Sequence, residues 1–277
     1  MEAKMINLKI NKLPVSVPEG TTILQAAREA HIDIPTLCYL KDINEIGACR
    51  MCVVEIKGSP KLNAACVFPV SEGMEVVTNS KRVFDARKTN LQLLLSNHRR
   101  ECLSCVRSGS CELQKLCKDY GVDDEGVYDG AVTPSTLDES ATHMVRDNAK
   151  CILCRRCTAV CDKLQDAAVI GVNKRGFDTH IGSAFDAPLN SVACVSCGQC
   201  IVACPTGALR EKDQTDEVWA ALADPEKRVI VQTAPSIRAT LGEEFGLPIG
   251  TNVEGKMAAA LLLSAVASVA GLFGPKI

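Results

Sequence analysis

The sequence predicts an α+β fold in which several small domains follow one another along the chain. Three observations carry this. Residues 5–17 alternate apolar and polar side chains and run directly into a helix-start signal. Sixteen cysteines in 277 residues, far above ordinary usage, fall into four groups. Two of those groups repeat one another at an offset of 43 residues.

Taken in order, Ile6, Leu8 and Ile10 alternate with polar residues, Asn11-Lys12 supplies a turn, and Val15 and Val17 resume the alternation, which predicts a hairpin. Thr22 with Gln25 three residues on is a capping box, and Ile23, Ala26, Ala27 and Ala30 give the following helix one apolar stripe. Strands are expected at 53–56 and 74–77. The first cysteine group, Cys38, Cys49, Cys52 and Cys66, lies among these elements with the spacing C-x10-C-x2-C-x13-C. One loop with a distant fourth thiolate suits a [2Fe–2S] rhomb, although the spacing is wider than in plant-type ferredoxins. A small sheet on a helix that carries such a loop is a β-grasp ferredoxin pattern, expected over residues 1–79.

A helix is expected over 81–97, with Val83, Ala86, Leu91, Leu94 and Leu95 as a core-facing stripe. It leads into a second cysteine group within residues 80–120. Residues 121–140 are acidic and rich in Gly, Ser and Thr, and read as a solvated connecting loop. Residues 141–212 hold the repeat. Cys151, Cys154, Cys157 and Cys161, and again Cys194, Cys197, Cys200 and Cys204, follow C-x2-C-x2-C-x3-C, the bacterial-ferredoxin run for cubane [4Fe–4S] clusters. In that pattern the fourth cysteine of each run reaches the other cluster. Cys151, Cys154, Cys157 and Cys204 are therefore expected to hold one cubane, and Cys194, Cys197, Cys200 and Cys161 the other. Pro205 follows Cys204 as the pattern expects, whereas Asp162 stands where the first run would carry proline. Zinc sites pair two knuckles, or one knuckle with two histidines, and two identical four-cysteine runs suit iron–sulfur better.

The remaining group is HRRECLSCVRSGSC, residues 98–111, with Cys117 trailing. Cys102, Cys105 and Cys111 need one more ligand, and spacing alone admits either His98 or Cys117. The string HRRECLSCVRSGSCELQ resembles the H-x3-C-x2-C-x5-C element of the NADH dehydrogenase large iron–sulfur subunit and of [FeFe]-hydrogenases. The resemblance implies a third [4Fe–4S] cluster on His98, Cys102, Cys105 and Cys111. It leaves Cys117 as a spare thiol, expected in the core.

After Cys204 no cysteine follows. The apolar run at 229–231 reads as a buried strand, with a helix starting near Pro235. The stretch 228–261, with TAPSIRATLGEEFG, resembles the start of the [FeFe]-hydrogenase catalytic domain. There the resemblance implies that Ala234, Pro235 and Ser236 line the active-site pocket. The pattern is lost after VEGKMAAAL, before the family's catalytic-cluster cysteines, so residues 213–277 are expected to be a truncated start of that domain with a divergent apolar tail. Residues 257–274 are uncharged, near the lower length limit for a membrane span, but rich in Ala, Ser and Gly. A helix against the protein or a disordered end is expected instead of an anchor.

The other features exclude whole function classes. A net charge of −2 and 4% aromatic residues give no electrostatic or stacking case for nucleic acid. MEAKMINLKI has no apolar signal core, and the cysteine usage is that of a reducing, cytoplasmic compartment. There is no Ser–His–Asp set, Walker loop or GxGxxG. His31, His143 and His180 have no expected nucleophile beside them, so no catalytic residues are assigned. The expectation is an electron wire of four clusters in separate small lobes. By the family's example, its partners are a flavin-bearing NAD(P)H-oxidising subunit or ferredoxin and a catalytic hydrogenase or dehydrogenase subunit.

Overall fold

The computed structural model describes residues 4–123, 128, 132 and 135–269, the last six of these by main chain only. It divides into two compact units, residues 1–212 and 213–277.

The first unit opens with β1 (Met5–Ile10) and β2 (Leu13–Pro18), paired antiparallel with Ile6 opposite Val17 and Leu8 opposite Val15. Asn11 and Lys12 both take positive φ (51° and 71°), which matches the hairpin's twist to that of its strands. The Asn11 side chain then ties the turn to Thr78, donating to its hydroxyl at 2.7 Å and accepting from its N–H at 2.9 Å. Thr22 and Gln25 form the reciprocal capping box on α1 (Ile23–Glu29). Next come β3 (Val53–Ile56), β4 (Leu62–Ala64) and β5 (Glu75–Val77), giving one sheet in the order β2-β1-β5-β3-β4. β5 runs parallel to β1 and antiparallel to β3. Alternate residues of β1 pack on Ile23, Leu24, Ala26 and Ala27 of α1 to make the first core.

Helix α2 (Lys81–Ser96), capped by Ser80, buries Val83, Arg87, Leu91 and Leu95. Arg87 was not part of the expected stripe. Its guanidinium donates to Val53 O at 2.8 Å and to Tyr120 Oη at 3.1 Å, which allows a charge to be buried in that row. Helix α3 (Glu112–Asp119) follows the second cysteine group.

The rest of the unit is β6 (Leu137–Asp138), β7 (Met144–Asp147), α4 (Arg156–Lys163), β8 (Ile170–Asn173), β9 (His180–Ser183), α5 (Gln199–Ala203) and β10 (Leu209–Glu211). Strands β10, β7 and β6 form one antiparallel sheet, and β8 and β9 a ribbon.

Three expectations are corrected. Residues 121–140 are not simply a solvated loop. Val122 is buried in a core, and β6 pairs with β7, because Leu137 and Asp138 complete the sheet edge. Part of that stretch (124–127, 129–131, 133–134) lies outside the described residues. Nor do the cysteine groups sit in separate lobes. One core joins Leu37, Cys38 and Met51 from the first domain to Leu91 and Leu95 of α2, Leu113 of α3 and Ile152 of the repeat. Finally, residues 229–231 form no strand and are exposed, Ile230 by 80%. No neighbouring strand pairs with them among the described residues, so their apolar side chains have no sheet to cover.

The second unit contains α6 (Thr215–Ala223), α7 (Ile237–Glu244) and α8 (Glu254–Val269). Among the described residues no helix is long and apolar enough to cross a membrane. Residues 270–277, the end of the apolar tail, lie outside the described residues.

Candidate metal centres

The first cysteine group closes under a loop that needs left-handed backbone at Asp42, Gly47 and Arg50. All four thiols are buried and meet as two pairs. Cys52 Sγ lies 3.3 Å from Cys66 Sγ, and Cys38 donates to Cys49. The hydrogen bond from Cys38, with main-chain N–H groups of Met51, Leu37 and Cys38, brings the Cys49 thiol down to about 6 against the cost of burial. Cys52 is likewise lowered by its bond with Cys66, while Cys38 and Cys66 are raised as the donors. Four buried thiols that meet as two pairs supply, once deprotonated, the donor set a two-iron rhomb requires.

In the repeat, the 43-residue offset reappears in the backbone. Leu153 and Ser196 take φ near 53° and 55°, and Arg155 and Gly198 take 60° and 72°. Arg155 and Gly198 cap α4 and α5, which start 43 residues apart at Arg156 and Gln199. These left-handed residues turn the chain sharply enough for the three successive thiols Cys151, Cys154 and Cys157 to face one cavity. Cys151, Cys154, Cys157 and Cys204 line one cavity with Ile152, Ile181 and Leu209. Burial pushes Cys151 up to about 11 and Cys154 to about 12, and raises Cys157 as well. Three such thiols become thiolates only against a strongly cationic group. Cys200 in turn is raised first by burial and then by Cys197, Cys161 and Cys194, the other set.

His143 departs from expectation. It was read as having no nucleophile nearby, yet its Nε2 lies 3.8 Å from Cys194 Sγ and its Nδ1 3.1 Å from Ser196 Oγ. The contact spans 51 residues of sequence, so spacing could not reveal it.

In the third site, His98, Cys102, Cys105 and Cys111 line one cavity together. Cys117 lines the adjoining one, with His98, Cys102 and Cys111. The His98 ring bonds the Lys150 main chain, and its Nδ1 is buried with no partner. Burial is the main cause that lowers its pKa, so the imidazole is neutral near pH 7, the form that binds metal. Cys117 is half-buried against the second core rather than enclosed in it, and burial raises it to about 11.

Several contacts that sequence reasoning missed hold these sites together. Buried Asn44 donates to Cys38 O at 2.7 Å and Cys154 O at 3.0 Å, joining the first site to the repeat. Arg156, buried beside Cys157, makes a two-pronged bond to Glu112, next to Cys111, at 2.6 and 3.0 Å. Gly207 touches the third site: a Cβ there would stand 2.6 Å from Cys105 Sγ. Among the described residues no three His, Cys, Asp or Glu side chains converge closely enough for one ion.

Comparison with known proteins agrees with this geometry. Family models match residues 3–81 (2Fe-2S iron-sulfur cluster binding domain) and 87–125 (NADH-ubiquinone oxidoreductase-G iron-sulfur binding region). Two others match 150–208 (4Fe-4S dicluster domain) and 227–271 (iron only hydrogenase large subunit, C-terminal domain). The chain is 47% identical over 262 residues to the NADP-reducing hydrogenase subunit HndD of Solidesulfovibrio fructosivorans, covering 93% of this chain and 45% of that one. Over these residues the chain is similar to iron-only hydrogenases and to NADH dehydrogenase large subunits. From the second branch, the NADH-ubiquinone oxidoreductase 75 kDa subunit of Reclinomonas americana is 37% identical over 75% of this chain and 30% of its own length. The chain thus spans less than half the length of these two relatives. A solved NAD+-reducing [NiFe]-hydrogenase chain shares the fold at a TM-score of 0.69 and 27% identity, covering 75% of this chain and 87% of that one.

Proposed function

We propose that this chain is an electron relay holding one [2Fe–2S] and three [4Fe–4S] clusters. Cys38, Cys49, Cys52 and Cys66 hold the first. Cys151, Cys154, Cys157 and Cys204 hold the second. His98, Cys102, Cys105 and Cys111 hold the third, and Cys161, Cys194, Cys197 and Cys200 the fourth. The observation that carries this is the meeting of Cys204 with Cys151, Cys154 and Cys157 around one apolar cavity. A chain of independent zinc knuckles has no reason to bring the last cysteine of one run into the site of the other. When bound, the clusters supply one-electron redox steps. The protein's own residues hold them within one packed unit, exclude water and fix the surrounding charge.

Single electrons pass between an NAD(P)H-oxidising flavin subunit or ferredoxin and a hydrogenase active site. The match over 227–271 to the iron-only hydrogenase C-terminal domain favours hydrogen chemistry. A relay for an NAD-linked dehydrogenase without hydrogen chemistry is the second reading, favoured by the match of residues 87–125 to the NADH-ubiquinone oxidoreductase iron–sulfur region.

Anaerobic reconstitution followed by iron and sulfide analysis tests the relay. The expected content is about 14 irons per chain, with matching acid-labile sulfide and EPR signals of four centres. Zinc without sulfide overturns the proposal. His98→Ala is expected to perturb one [4Fe–4S] signal and Cys117→Ala to leave all four intact; the reverse outcome gives the fourth ligand to Cys117. Copurification of a flavoprotein with or without hydrogenase activity separates the two readings.

A further inference from the structure

The residues of β7 are buried at all four positions, and the third of them is Arg146. A guanidinium there is expensive unless every donor is satisfied. One arm is. Nη2 donates to Asp138 Oδ2 at 3.1 Å, and both side chains are enclosed, Arg146 with only 7% of its side chain exposed. Asp138 is itself fully engaged, accepting from Ser140 and from Leu189 N. Nε and Nη1 of Arg146 are buried with no partner among the described residues. Arg146 lines the cavity of Cys151, Cys154, Cys157 and Cys204. Asp138, Asp186, Cys157 and Cys200, the last two one thiol from each cubane set, act electrostatically on its guanidinium.

Two orphan donors on a buried cation, facing a ring of thiols, are satisfied by an anionic acceptor inside that ring. We propose that Arg146 donates hydrogen bonds into the cluster held by Cys151, Cys154, Cys157 and Cys204 and, standing between the two cubane sites, raises the potential of the relay there. This rests on the cluster assignment above and adds a residue that sets the energy of one step. The direction follows from charge. Reduction adds an electron to an already anionic group, and a fixed cation with donors to sulfur favours the reduced state. Asp138 moderates the effect by neutralising part of the same charge.

The test is an anaerobic redox titration of the reconstituted full chain, followed by EPR, with iron counted in parallel. Arg146→Gln is expected to lower the midpoint of one [4Fe–4S] centre so that, at the native midpoint, the reduced-to-oxidised ratio falls about tenfold, a shift of about 59 mV. The [2Fe–2S] midpoint stays put. Arg146→Lys, which keeps the charge but not the fork, shifts the same centre by less. Asp138→Asn shifts it upward. Full iron content with unchanged midpoints in Arg146→Gln overturns the inference and leaves the cluster assignment standing. If Arg146→Gln does not load iron, unchanged midpoints in both Arg146→Lys and Asp138→Asn overturn it instead. A native chain that takes up no iron and sulfide overturns the assignment itself.

Discussion

At Gly207 the absence of a side chain is a requirement of the neighbouring site, not of the backbone. The main chain of the Cys204 segment passes so close to the third site that Pro205 O accepts from Glu112 N at 3.1 Å and lies 3.6 Å from Cys111 Sγ. A methyl group at 207 would meet Cys105 Sγ at 2.6 Å. A free thiol swings aside; a thiolate bound to iron does not. Gly207→Ala is therefore expected to cost the third site alone, bringing iron from about 14 to about 10 per chain with the [2Fe–2S] spectrum unchanged. Asp138 makes a second prediction at this scale. Burial works to raise its pKa, but hydrogen bonds from Ser140 and Leu189 and the Arg146 charge outweigh it and hold the carboxyl below its ordinary value. A group whose folded pKa is depressed contributes stability above its unfolded pKa, near 3.9, and loses it as pH falls through the lower folded value. Acid unfolding monitored by circular dichroism should show a shallower loss below about pH 4 in Asp138→Asn than in the native chain. None of Gly207, Asn44 or Arg146 stood out in the sequence. Each is a lone residue whose role is set by a partner distant in sequence. Only Arg146 left a trace, as a charge inside a short strand with apolar Met144 and Val145 before it.

Among the elements, local signals were readable where the chain satisfies itself. The Asn11-Lys12 turn, the Thr22/Gln25 box and the start of α2 at Lys81 depend on residues within a few positions of each other, and the structure places all three. Strand β4, only three residues long, and β6, only two, exist because a neighbouring strand offers hydrogen bonds, and neither carries a period of its own. The failed strand at 229–231 is the converse, a strand-like composition without an edge to join. Helix α2 bears the next prediction. Leu91 has no exposed surface and sits where the first domain, α3 and the repeat meet. Leu91→Ala should destabilise the first unit by about 2–5 kcal/mol in denaturant unfolding, well beyond a surface substitution. Leu93→Ala, on the exposed side of the same helix, should change little.

For the molecule as a whole, the 43-residue repeat was legible because the cysteine spacing is rigid, and the positive-φ residues recur with it. What spacing could not convey was that residues of three of the four cysteine groups meet in one core. Asn44, the Arg156–Glu112 pair and the Pro205 segment bind three cysteine loops to each other. Chaotrope titration should then release iron from the first and third sites together with loss of helix content, in one transition; separate release of the [2Fe–2S] centre would show independent domains.

On the proposed assignment Cys161 and Cys204 are exchanged between runs, which has its own outcome for assembly. Neither run encloses a finished nest for iron, since each lends the thiol that seals the other. A nascent chain that has emerged only as far as residue 165 owns three-quarters of one cage and one stray corner of another. Maturation of this pair must wait until both runs are present, so metal insertion here is expected in steps of about eight irons rather than about four.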